Sequence, residues 1–388
     1  MNTCYRAGFP GILYSGRGSL KMIDDIMKTD GYNRIVVLAD SVLTGLPVFS
    51  KLVKLLGYRM AAVITDIPAE PPIGSVRKVY ARLMEAEADL LLAVGGGSVM
   101  DMAKIVAAAA TNPDFASPES GTAFTDTDKI IRRGIPTVMV PTTAGTGAEA
   151  TPNAVFLFPE KELKIGICSD AFVASYVILD PELTASLPPQ LTASTGIDAL
   201  CHAVESYIST MANPVSKTFS LRAAGLICQN IERAYLDGGD MEARENMLLG
   251  SFFAGMCLFS STTVAVHALS YPLGGRYHIP HGIANAILLP HVMEANLSVC
   301  EKEYGELAQV MLPDYDSILG GERGFALVDY FYQLCGWLDI PRTLTQFGIG
   351  REDIDTLTDN AFQVKRLLSR NPRELTRNEI REIYEKLL

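Results

Sequence analysis

The sequence lacks the features that would mark a membrane or secreted protein. No run of about 18 or more uninterrupted apolar residues occurs, so we predict no membrane-spanning helix. The first residues, MNTCYRAGFPGILYSG, have no apolar stretch after a basic start, which argues against a signal peptide. The seven cysteines are widely spaced and include no CxxC pair. They predict reduced thiols in a cytoplasmic protein rather than a disulfide framework.

Positive charge is also scarce, since 33 Lys and Arg residues stand against 44 Asp and Glu residues, a net charge of −11. An acidic chain repels a phosphate backbone, so we expect no nucleic-acid partner. The charge is compatible with a nucleotide cofactor, which needs only local amide donors and a lysine. A length of 388 residues with 48% hydrophobic content suffices for two domains with sizeable cores.

Short apolar segments alternate with helix-like segments through the first half of the chain. We predict strands at 35–38, 60–64, 90–94 and 136–140. We predict helices between them at 48–56, 75–86 and 99–110. Strands that are apolar along their whole length and alternate with helices are typical of a parallel sheet covered on both faces.

The pattern changes in the middle of the chain. Two short apolar segments around the turn Pro159-Glu-Lys-Glu predict a β-hairpin, and 176–179 predicts one more strand. From about Gln190 onward, helical periodicity continues almost to the end of the sequence. We therefore predict an α/β domain at 1–187 and an all-α domain at 188–388.

A triple glycine follows the predicted strand at 90–94. Gly95, Gly96 and Gly97 precede Ser98 and the next helix, and backbone N–H groups at such a point can bind a phosphate. The alternative is a tight turn that needs a positive φ, for which one glycine would serve. The spacing matches neither GxGxxG nor a Walker loop.

Two further features lie at the ends of predicted strands. Thr142 and Thr143 belong to a loop of small and hydroxyl-bearing residues, PTTAGTGAE, at a strand end where α/β proteins bind ligands. Asp40 ends the first predicted strand. A carboxylate there can accept hydrogen bonds from a ribose 2′-OH and repel a 2′-phosphate, which would select NAD over NADP. Asp40 could equally cap a helix or a turn.

Histidine is rare as well, yet three of the five histidines fall within 263–283. Upstream, Asp198 and His202 are four residues apart and would lie on one face of a helix. With His267 and His281 they form a set of one carboxylate and three imidazoles. This set suits Fe(II), Zn(II), nickel or cobalt, and the lack of thiolates argues against a structural zinc site. Each histidine taken alone could instead be a core or surface residue.

The other two histidines have alternative roles. His278 lies three residues before His281 and could line the pocket, relay protons or lie in a surface loop. His291 follows Leu-Leu-Pro in an apolar helical segment. We expect His291 to be structural.

Several blocks of sequence resemble the iron-containing (group III) alcohol dehydrogenase family. They are GGGSVMDMAK at 95–104, PTTAGTGAEAT at 141–151, TGIDALCHAVESY at 195–207 and HALSYPLGGRYHIPHGIANAILLPHV at 267–292. A further segment, ARENMLLGSFFAGM at 243–256, also matches. The order and spacing of the blocks extend the resemblance over nearly the whole chain, and their combination is highly specific.

The resemblance implies a Rossmann-like NAD-binding domain at 1–187 and a helical metal-binding domain at 188–388, in the dehydroquinate synthase-like fold. The active site would lie in the cleft between them. The implied metal ligands are Asp198, His202, His267 and His281. The implied cofactor contacts are Gly96, Gly97, Ser98, Thr142, Thr143, Lys164 and Asn153, the last facing the nicotinamide, with Asp40 as the residue that selects NAD.

One position and one short segment depart from the family pattern. Family members typically have a second histidine four residues after the first ligand of the last block, and here that position is Tyr271. Tyr271 could donate a hydrogen bond and His278 could take over the proton relay, so these are the two candidate catalytic residues. The usual small-residue run Asn-Ala-Gly-Leu-Gly is replaced at 260–264 by Ser-Ser-Thr-Thr-Val. We therefore expect a reshaped substrate pocket.

The expected activity is a metal-dependent, NAD(H)-linked alcohol dehydrogenase or aldehyde reductase of class EC 1.1.1.-. The metal would be Fe(II), with Zn(II) as the alternative, and the substrate a small alcohol or aldehyde. Other candidates are a glycerol-dehydrogenase-like enzyme, a dehydroquinate-synthase-like lyase, a maleylacetate-reductase-like enzyme for an oxo acid, and a binding protein without chemistry. The family also implies a homodimer or a higher homo-oligomer.

Overall fold

The structure is a computed structural model that describes residues 4–117, 123–161 and 163–388. Its contacts divide the chain into two compact units. The α/β unit comprises Gly8–Thr143 and Gly147–Ser186. The helical unit comprises Leu187–Leu388 together with residues 4–7 and 144–146. The main break thus lies one residue before the predicted boundary, and the two short segments make the division discontinuous in sequence.

Among the described residues of the α/β unit, six strands form one parallel sheet in the order β1-β8-β5-β4-β2-β3. These strands are β1 Ile12–Ser15, β2 Ile35–Ala39, β3 Met60–Ile64, β4 Leu90–Gly95, β5 Thr137–Pro141 and β8 Tyr176–Leu179. A separate antiparallel hairpin pairs β6 Asn153–Phe158 with β7 Leu163–Cys168. The predicted parallel sheet is confirmed.

Strands β2, β4 and β5 of the sheet are apolar on both faces. Every residue of β2, β4 and β5 is buried, as their uninterrupted apolar sequences predict. The helices of this unit are α1 Met22–Asp30, α2 Pro47–Leu56, α3 Val76–Glu85, α4 Gly97–Thr111 and α5 Pro113–Ala116. Edge strand β1 was not predicted, because it has four residues and is largely exposed.

Beyond Ser186 the described chain is helical, as predicted. The helices are α6 Pro189–Ile208, α7 Pro214–Leu236, α8 Met241–Ser260, α9 Ala265–Tyr277, α10 His281–Met311, α11 Arg323–Trp337, α12 Ile354–Phe362, α13 Lys365–Leu368 and α14 Arg377–Glu385. Prolines stand at the first position of α6 and α7, where no N–H bond is lost. Asn213 caps α7 with a capping box that its side chain forms with Ser216.

Helix α10 is long and apolar enough to pass for a membrane span, which the sequence inspection did not predict. In its most apolar window, 61% of the residues are buried within the protein. The bent pair α8 and α9, which meet at 104°, passes the same test only as one broken span. A core helix of a soluble protein has these properties too, and α10 contributes much of the core of the helical unit.

Candidate active site

Three helices of the helical unit bring the predicted metal ligands together. Helix α6 carries Asp198 and His202, α9 carries His267, and α10 begins with His281. Asp198 Oδ1 lies 3.9 Å from His267 Nε2 and 3.6 Å from His281 Nε2. Ligand atoms of these three residues all lie within 4.8 Å of one another. The fourth residue, His202, stacks on His267 with their Nε2 atoms 3.0 Å apart.

The local sequence explains this convergence. Asp198 and His202 share one face of α6 because they are four residues apart. Pro280 ends the preceding loop, so that α10 starts at His281. The next residue, Gly282, lies so close to α6 that an added Cβ would be 2.3 Å from the Ser194 carbonyl oxygen. A glycine here lets the first turn of α10 approach α6 closely.

A buried carboxylate that the sequence analysis did not single out fixes one imidazole. Glu205 has no exposed surface, and its side chain accepts hydrogen bonds from His267 Nδ1 and from the Val266 N–H, the latter at 2.7 Å. Because the carboxylate requires a proton on Nδ1, His267 Nε2 keeps a lone pair directed at the cluster. This is the carboxylate–histidine arrangement found beside protein metal sites.

An amide also lies among the ligand atoms. Asn285 is fully buried, and its Nδ2 lies 2.7 Å from Asp198 Oδ1. The same nitrogen is 3.2 Å from both His267 Nε2 and His281 Nε2. Asn285 Oδ1 is buried and has no hydrogen-bond partner among the residues that the structure describes. A buried carbonyl oxygen in this state is unusual.

The electrostatics favour a negative Asp198 among the imidazoles. Burial raises the pKa of Asp198, but the three histidines beside it outweigh burial and hold the pKa below its usual value. Burial lowers the pKa of His202 and so favours the neutral imidazole. For His267, burial lowers the pKa, but the Glu205 carboxylate raises it, and the net shift is upward. The ion pairing between His267 and Glu205 accounts for this difference.

The donor set fits a divalent metal ion. One carboxylate and neutral imidazoles are ligands that Fe(II) and Zn(II) accept in proteins. A metal would also place a positive charge beside the buried Asp198, which the helices otherwise shield from water. Asn285 Oδ1 is a further oxygen at the cluster without a partner of its own.

The two predicted catalytic residues lie in different surroundings. Tyr271 is half-buried, one helical turn after His267, with its ring centroid 6.3 Å from that of His281. Burial raises the pKa of the Tyr271 phenol, which keeps its proton at neutral pH. His278 caps α9 in the left-handed conformation, with φ 55°, and its side chain is exposed. His291 contacts Tyr332 on α11, away from the ligand set described above.

The α/β unit places the glycine loop between β4 and α4, as predicted. The tight-turn alternative is wrong, because none of the three glycines has a positive φ, and Gly96 is extended at φ −81° and ψ −173°. Instead, the glycines allow the loop to pack closely against the first turn of α4. A Cβ at Gly95 would lie 2.7 Å from the Val99 side chain. The partly exposed Gly96, Gly97 and Ser98 leave the N-terminal amides of α4 accessible for an anion.

The second predicted loop lies beside the first. The Thr142 N–H donates to the Gly95 carbonyl at 3.0 Å, and the space beside Gly96 is bounded by Thr143. Ser98 Oγ accepts from the N–H of Glu70 at 3.0 Å. Parallel strands β4 and β5 are neighbours, so the residues after them meet at one sheet edge.

The hairpin carries two more of the predicted cofactor contacts, Asn153 and Lys164. Asn153 begins β6 and pairs with Cys168, whose thiol contacts the Asn153 side chain. Lys164 on β7 is mostly buried and forms an ion pair with Glu70. Lys164 is therefore not a solvated charge, and Glu70 is an acidic neighbour that the sequence analysis missed.

A buried ion pair fixes the start of this hairpin. Lys104 on α4 donates to Thr151 Oγ1 at 2.9 Å and to the Asn153 carbonyl at 2.5 Å. Its other partner is Asp101, 3.2 Å away, which accepts from the Val155 N–H at 2.9 Å. Because Asp101 and Lys104 are three residues apart, they lie on the same side of α4, and together they hold the start of β6 against α4.

Asp40 caps the short helical turn that follows β2. Its Oδ1 accepts from the Val42 N–H at 3.0 Å. The capping alternative raised for this residue is therefore observed. A carboxylate has two oxygens, so this bond leaves acceptor capacity for a ribose hydroxyl.

Helical spacing is a weak sequence signal for two of the missed residues. Glu205 lies seven residues after Asp198, on the same face of α6, and Asn285 lies four residues after His281, on one face of α10. No comparable spacing links Glu70 to Lys164, which are 94 positions apart.

Both parts of the chain match models of one family. A model described as "Iron-containing alcohol dehydrogenase" matches residues 10–181. A model described as "Fe-containing alcohol dehydrogenase family, C-terminal" matches residues 192–388.

Relatives of known name agree with the family models. The chain is 36% identical over 383 residues to long-chain-alcohol dehydrogenase 1 of Geobacillus thermodenitrificans, covering 98% of this chain and 96% of that protein. The solved structure of a 1,3-propanediol oxidoreductase matches with a TM-score of 0.91 at 29% identity, covering 99% of this chain and 100% of that one. A sulfoacetaldehyde reductase from Bifidobacterium kashiwanohense, solved in complex with NAD+, matches with a TM-score of 0.88 at 27% identity, covering 100% and 99%.

The chain combines a parallel α/β unit that carries a glycine loop with a helical unit that carries a buried Asp–His cluster. This combination is typical of a class of two-unit oxidoreductases. The chain belongs to the iron-containing alcohol dehydrogenase family. It is an enzyme, an oxidoreductase that acts on CH–OH groups. The family resemblance, the fold class and the enzyme class expected from the sequence are thus confirmed.

Proposed function

We propose that the protein is a metal-dependent, NAD(H)-linked alcohol dehydrogenase that also reduces aldehydes. The observation that carries the proposal is the buried cluster of Asp198, His267 and His281, with His202 against it. These four residues would hold a divalent ion, Fe(II) in the first instance and Zn(II) as the alternative. When bound, the metal supplies Lewis-acid polarisation of the substrate oxygen, and the nicotinamide carries the hydride.

The chain's own residues have distinct tasks in this proposal. Glu205 holds His267 in the tautomer that offers Nε2 to the metal. The buried surroundings of Asp198 exclude bulk water and strengthen its charge interactions. Tyr271, which stays protonated, would donate a hydrogen bond in the substrate pocket. His278 is the alternative proton relay, and its exposed position would connect that relay to solvent.

The cofactor would bind to the α/β unit. Gly96, Gly97 and Ser98 would offer amides and a hydroxyl to the pyrophosphate, with Thr142 and Thr143 alongside. Asn153 and Lys164 would contact the nicotinamide half, and Asp40 would accept from the adenine ribose and disfavour NADP. The NAD+ bound to the sulfoacetaldehyde reductase supports this choice of cofactor.

The proposal extends to the setting of the enzyme. The substrate would be a small alcohol or aldehyde, with no nucleic-acid or membrane partner. No disulfide joins any of the seven cysteines in the described part of the chain, which suits a reducing cytoplasm. We expect a homodimer or a larger homo-oligomer.

One batch of protein, purified without chelator and without oxygen, tests the proposal. Its metal content is measured first, and the same batch is then given NAD with a panel of alcohols and NADH with a panel of aldehydes. We expect a stoichiometric divalent ion and net NADH formation or consumption. Alcohol turnover without net NADH would indicate the dehydroquinate-synthase-like lyase instead. Full activity after metal removal would refute the metal's role.

A further inference from the structure

Glu70 lies between two elements that carry predicted cofactor contacts. Its backbone N–H donates to Ser98 Oγ at 3.0 Å, at the start of α4. Its carboxylate forms an ion pair with the Lys164 ammonium on strand β7. All three residues belong to the α/β unit. Glu70 therefore connects the glycine loop with the hairpin.

The backbone of Glu70 has an unusual conformation. Its φ is 51°, in the left-handed region that residues other than glycine rarely adopt. Such conformations persist only where surrounding contacts hold them, and they are frequent at functional sites. Here the N–H reaches Ser98 and the side chain reaches Lys164 from the same residue. These two contacts hold Glu70 in the left-handed conformation.

The residues after Glu70 are bound to the same hairpin. The Leu157 N–H donates to the Pro71 carbonyl at 3.0 Å, and Pro72 forms an isolated parallel bridge with Leu157. Leu157 is also the cross-strand partner of Lys164. Main-chain bonds thus fix both sides of the ion pair, so the Glu70 carboxylate and the Lys164 ammonium have a defined relative position.

The contacts of Glu70 leave donors available for an anion. A hydroxyl oxygen that accepts from a backbone N–H keeps its own proton, so Ser98 can still donate. An ammonium group has three N–H bonds, and the bond to Glu70 occupies one of them. The Lys164 side chain is only 7% exposed, and a buried cation is strongly destabilised when its partner is removed. Lys164 therefore depends on Glu70 for its place and its charge balance.

We infer that Glu70 is a positioning residue for the dinucleotide cofactor, whose backbone is fixed at the glycine loop and whose carboxylate holds the Lys164 ammonium on the neighbouring hairpin. The inference rests on the proposed function in that the α/β unit binds NAD(H). Glu70 acts through Lys164, and the effect does not require Glu70 to touch the cofactor.

Glu70→Asn tests the carboxylate while keeping the backbone. Asparagine tolerates the left-handed conformation and keeps the N–H, but its side chain is shorter and uncharged. The dissociation constant for NADH, measured by fluorescence titration, should rise about tenfold, the scale of one charge-assisted hydrogen bond. KM for NAD should rise with it while kcat stays at the wild-type value. Glu70→Gln, which keeps the side-chain length, provides the same test if Glu70→Asn does not fold.

A double-mutant cycle shows whether Glu70 acts through Lys164. Lys164→Met alone should raise the NADH dissociation constant about tenfold or more, because it removes the cation. In this background Glu70→Asn should have less than about a twofold further effect, since the group that it positions is gone. A role of Glu70 in folding alone would not produce this dependence on Lys164.

Glu87 provides a matched control. It is also a glutamate in the left-handed region, with φ 48°. It precedes β4, whereas the glycine loop follows β4, so the two lie at opposite ends of that strand. Glu87→Asn makes the same chemical change in the same backbone conformation. We expect it to leave the NADH dissociation constant at the wild-type value.

The outcomes separate this inference from the proposed function. If the wild type binds no NADH, the proposed cofactor site is refuted. If the wild type binds NADH and Lys164→Met weakens binding, unchanged affinity in Glu70→Asn refutes the inference alone. An equal effect of Glu70→Asn in the wild type and in Lys164→Met refutes it too, because Glu70 would then act independently of Lys164. Wild-type affinity in Lys164→Met would refute both the proposed contact of Lys164 and the inference.

Discussion

In the helical unit the candidate ligand atoms belong to charged and imidazole side chains, whereas in the α/β unit many of them are backbone amides and small hydroxyls. Asp198 and the histidines are useful because of the atoms they carry. Gly96 and Gly97 are useful because of the atoms they lack. We call the Asp198 cluster the side-chain site and the glycine loop the backbone site. The side-chain site should lose its ligand when a side chain is shortened, and the backbone site should lose its ligand when a side chain is added.

Removal of Asp198 should have the largest effect on the side-chain site. Asp198→Ala deletes the only carboxylate of the proposed ligand set, so bound metal should be lost and turnover should fall by about a thousandfold or more, as expected when several kcal/mol of Lewis-acid stabilisation disappear. Fluorescence titration should show NADH affinity unchanged. Asp329→Ala, an exposed position on α11, is the control. Full activity of metal-free Asp198→Ala would contradict the proposal.

An added side chain at Gly96 should break the backbone site. Gly96→Val folds without a clash, because its Cβ would lie 3.6 Å from Thr143 Oγ1, but it covers the amides that would bind pyrophosphate. Loss of one or two charge-assisted hydrogen bonds should raise KM for NAD by about 10–100-fold. Metal content should not change. Gly74→Val is the control, since an added Cβ there meets no atom within 4 Å.

Neutralising Glu205 tests whether metal binding at the side-chain site depends on the hydrogen bond between Glu205 and His267. Glu205→Gln can still accept from the Val266 N–H, but its amide offers no carboxylate to His267 Nδ1. Metal affinity, measured by chelator competition, should fall about 10–100-fold. Glu242→Gln, an exposed substitution on α8, should have no effect. Equal metal affinity in Glu205→Gln would show that the ligands are positioned without Glu205.

The α/β unit contains a buried acid whose effect depends on pH. Burial raises the pKa of Glu149 to about 7 from 4.5, although Lys104 opposes the shift, and its Oε1 has no hydrogen-bond partner among the described residues. Between these values the folded protein holds a proton that the unfolded chain has released. Stability should therefore fall as pH rises through this window, by up to about 3 kcal/mol above pH 7.

Glu149→Gln should remove this dependence. The variant should be more stable than the wild type at pH 8 and similar near pH 5, as measured by urea unfolding followed by circular dichroism. Glu160→Gln, exposed at the hairpin turn, should behave like the wild type at both pH values. A wild-type stability that rises between pH 5 and pH 7 in step with Glu149 would contradict the assigned burial effect.

The smallest effect should distinguish the two catalytic candidates. Tyr271→Phe removes one hydroxyl from a half-buried position, and loss of a single hydrogen bond should lower kcat by about tenfold. His278→Gln should change kcat less if Tyr271 holds the proton. Steady-state kinetics with one alcohol compare the two variants directly. A larger effect of His278→Gln would assign the relay to His278.

The sequence was more informative about the side-chain site than about its supports. Asp198, His202, His267 and His281 are rare residue types at helical spacing, so their convergence could be anticipated. Glu205 lies on the same face of α6, yet glutamate is a common surface residue, and only its complete burial reveals its contact with His267. Asn285 carries no charge, so composition gave no reason to select it.

In the α/β unit the fold was predicted better than the roles of individual residues. Uninterrupted apolar segments predicted the strands of the parallel sheet. Strand β1 was not predicted, because an exposed edge strand has no continuous apolar pattern. The glycine loop was placed correctly, but only backbone angles could exclude the tight turn. The pairing of Lys164 with Glu70 depends on tertiary structure, which spacing along the chain does not encode.

The short segment Ala144–Thr146 has a consequence for how the chain is made. It groups with the helical unit, although the residues on both sides of it belong to the α/β unit. A Cβ added at Gly145 would lie 2.7 Å from the Thr195 side chain on α6, so this segment acquires its neighbours only after α6 has left the ribosome. A fragment ending at 187 would leave Ala144 without its core contacts. The segment at 144–146 is therefore expected to reach its final packing only once α6 has been synthesised.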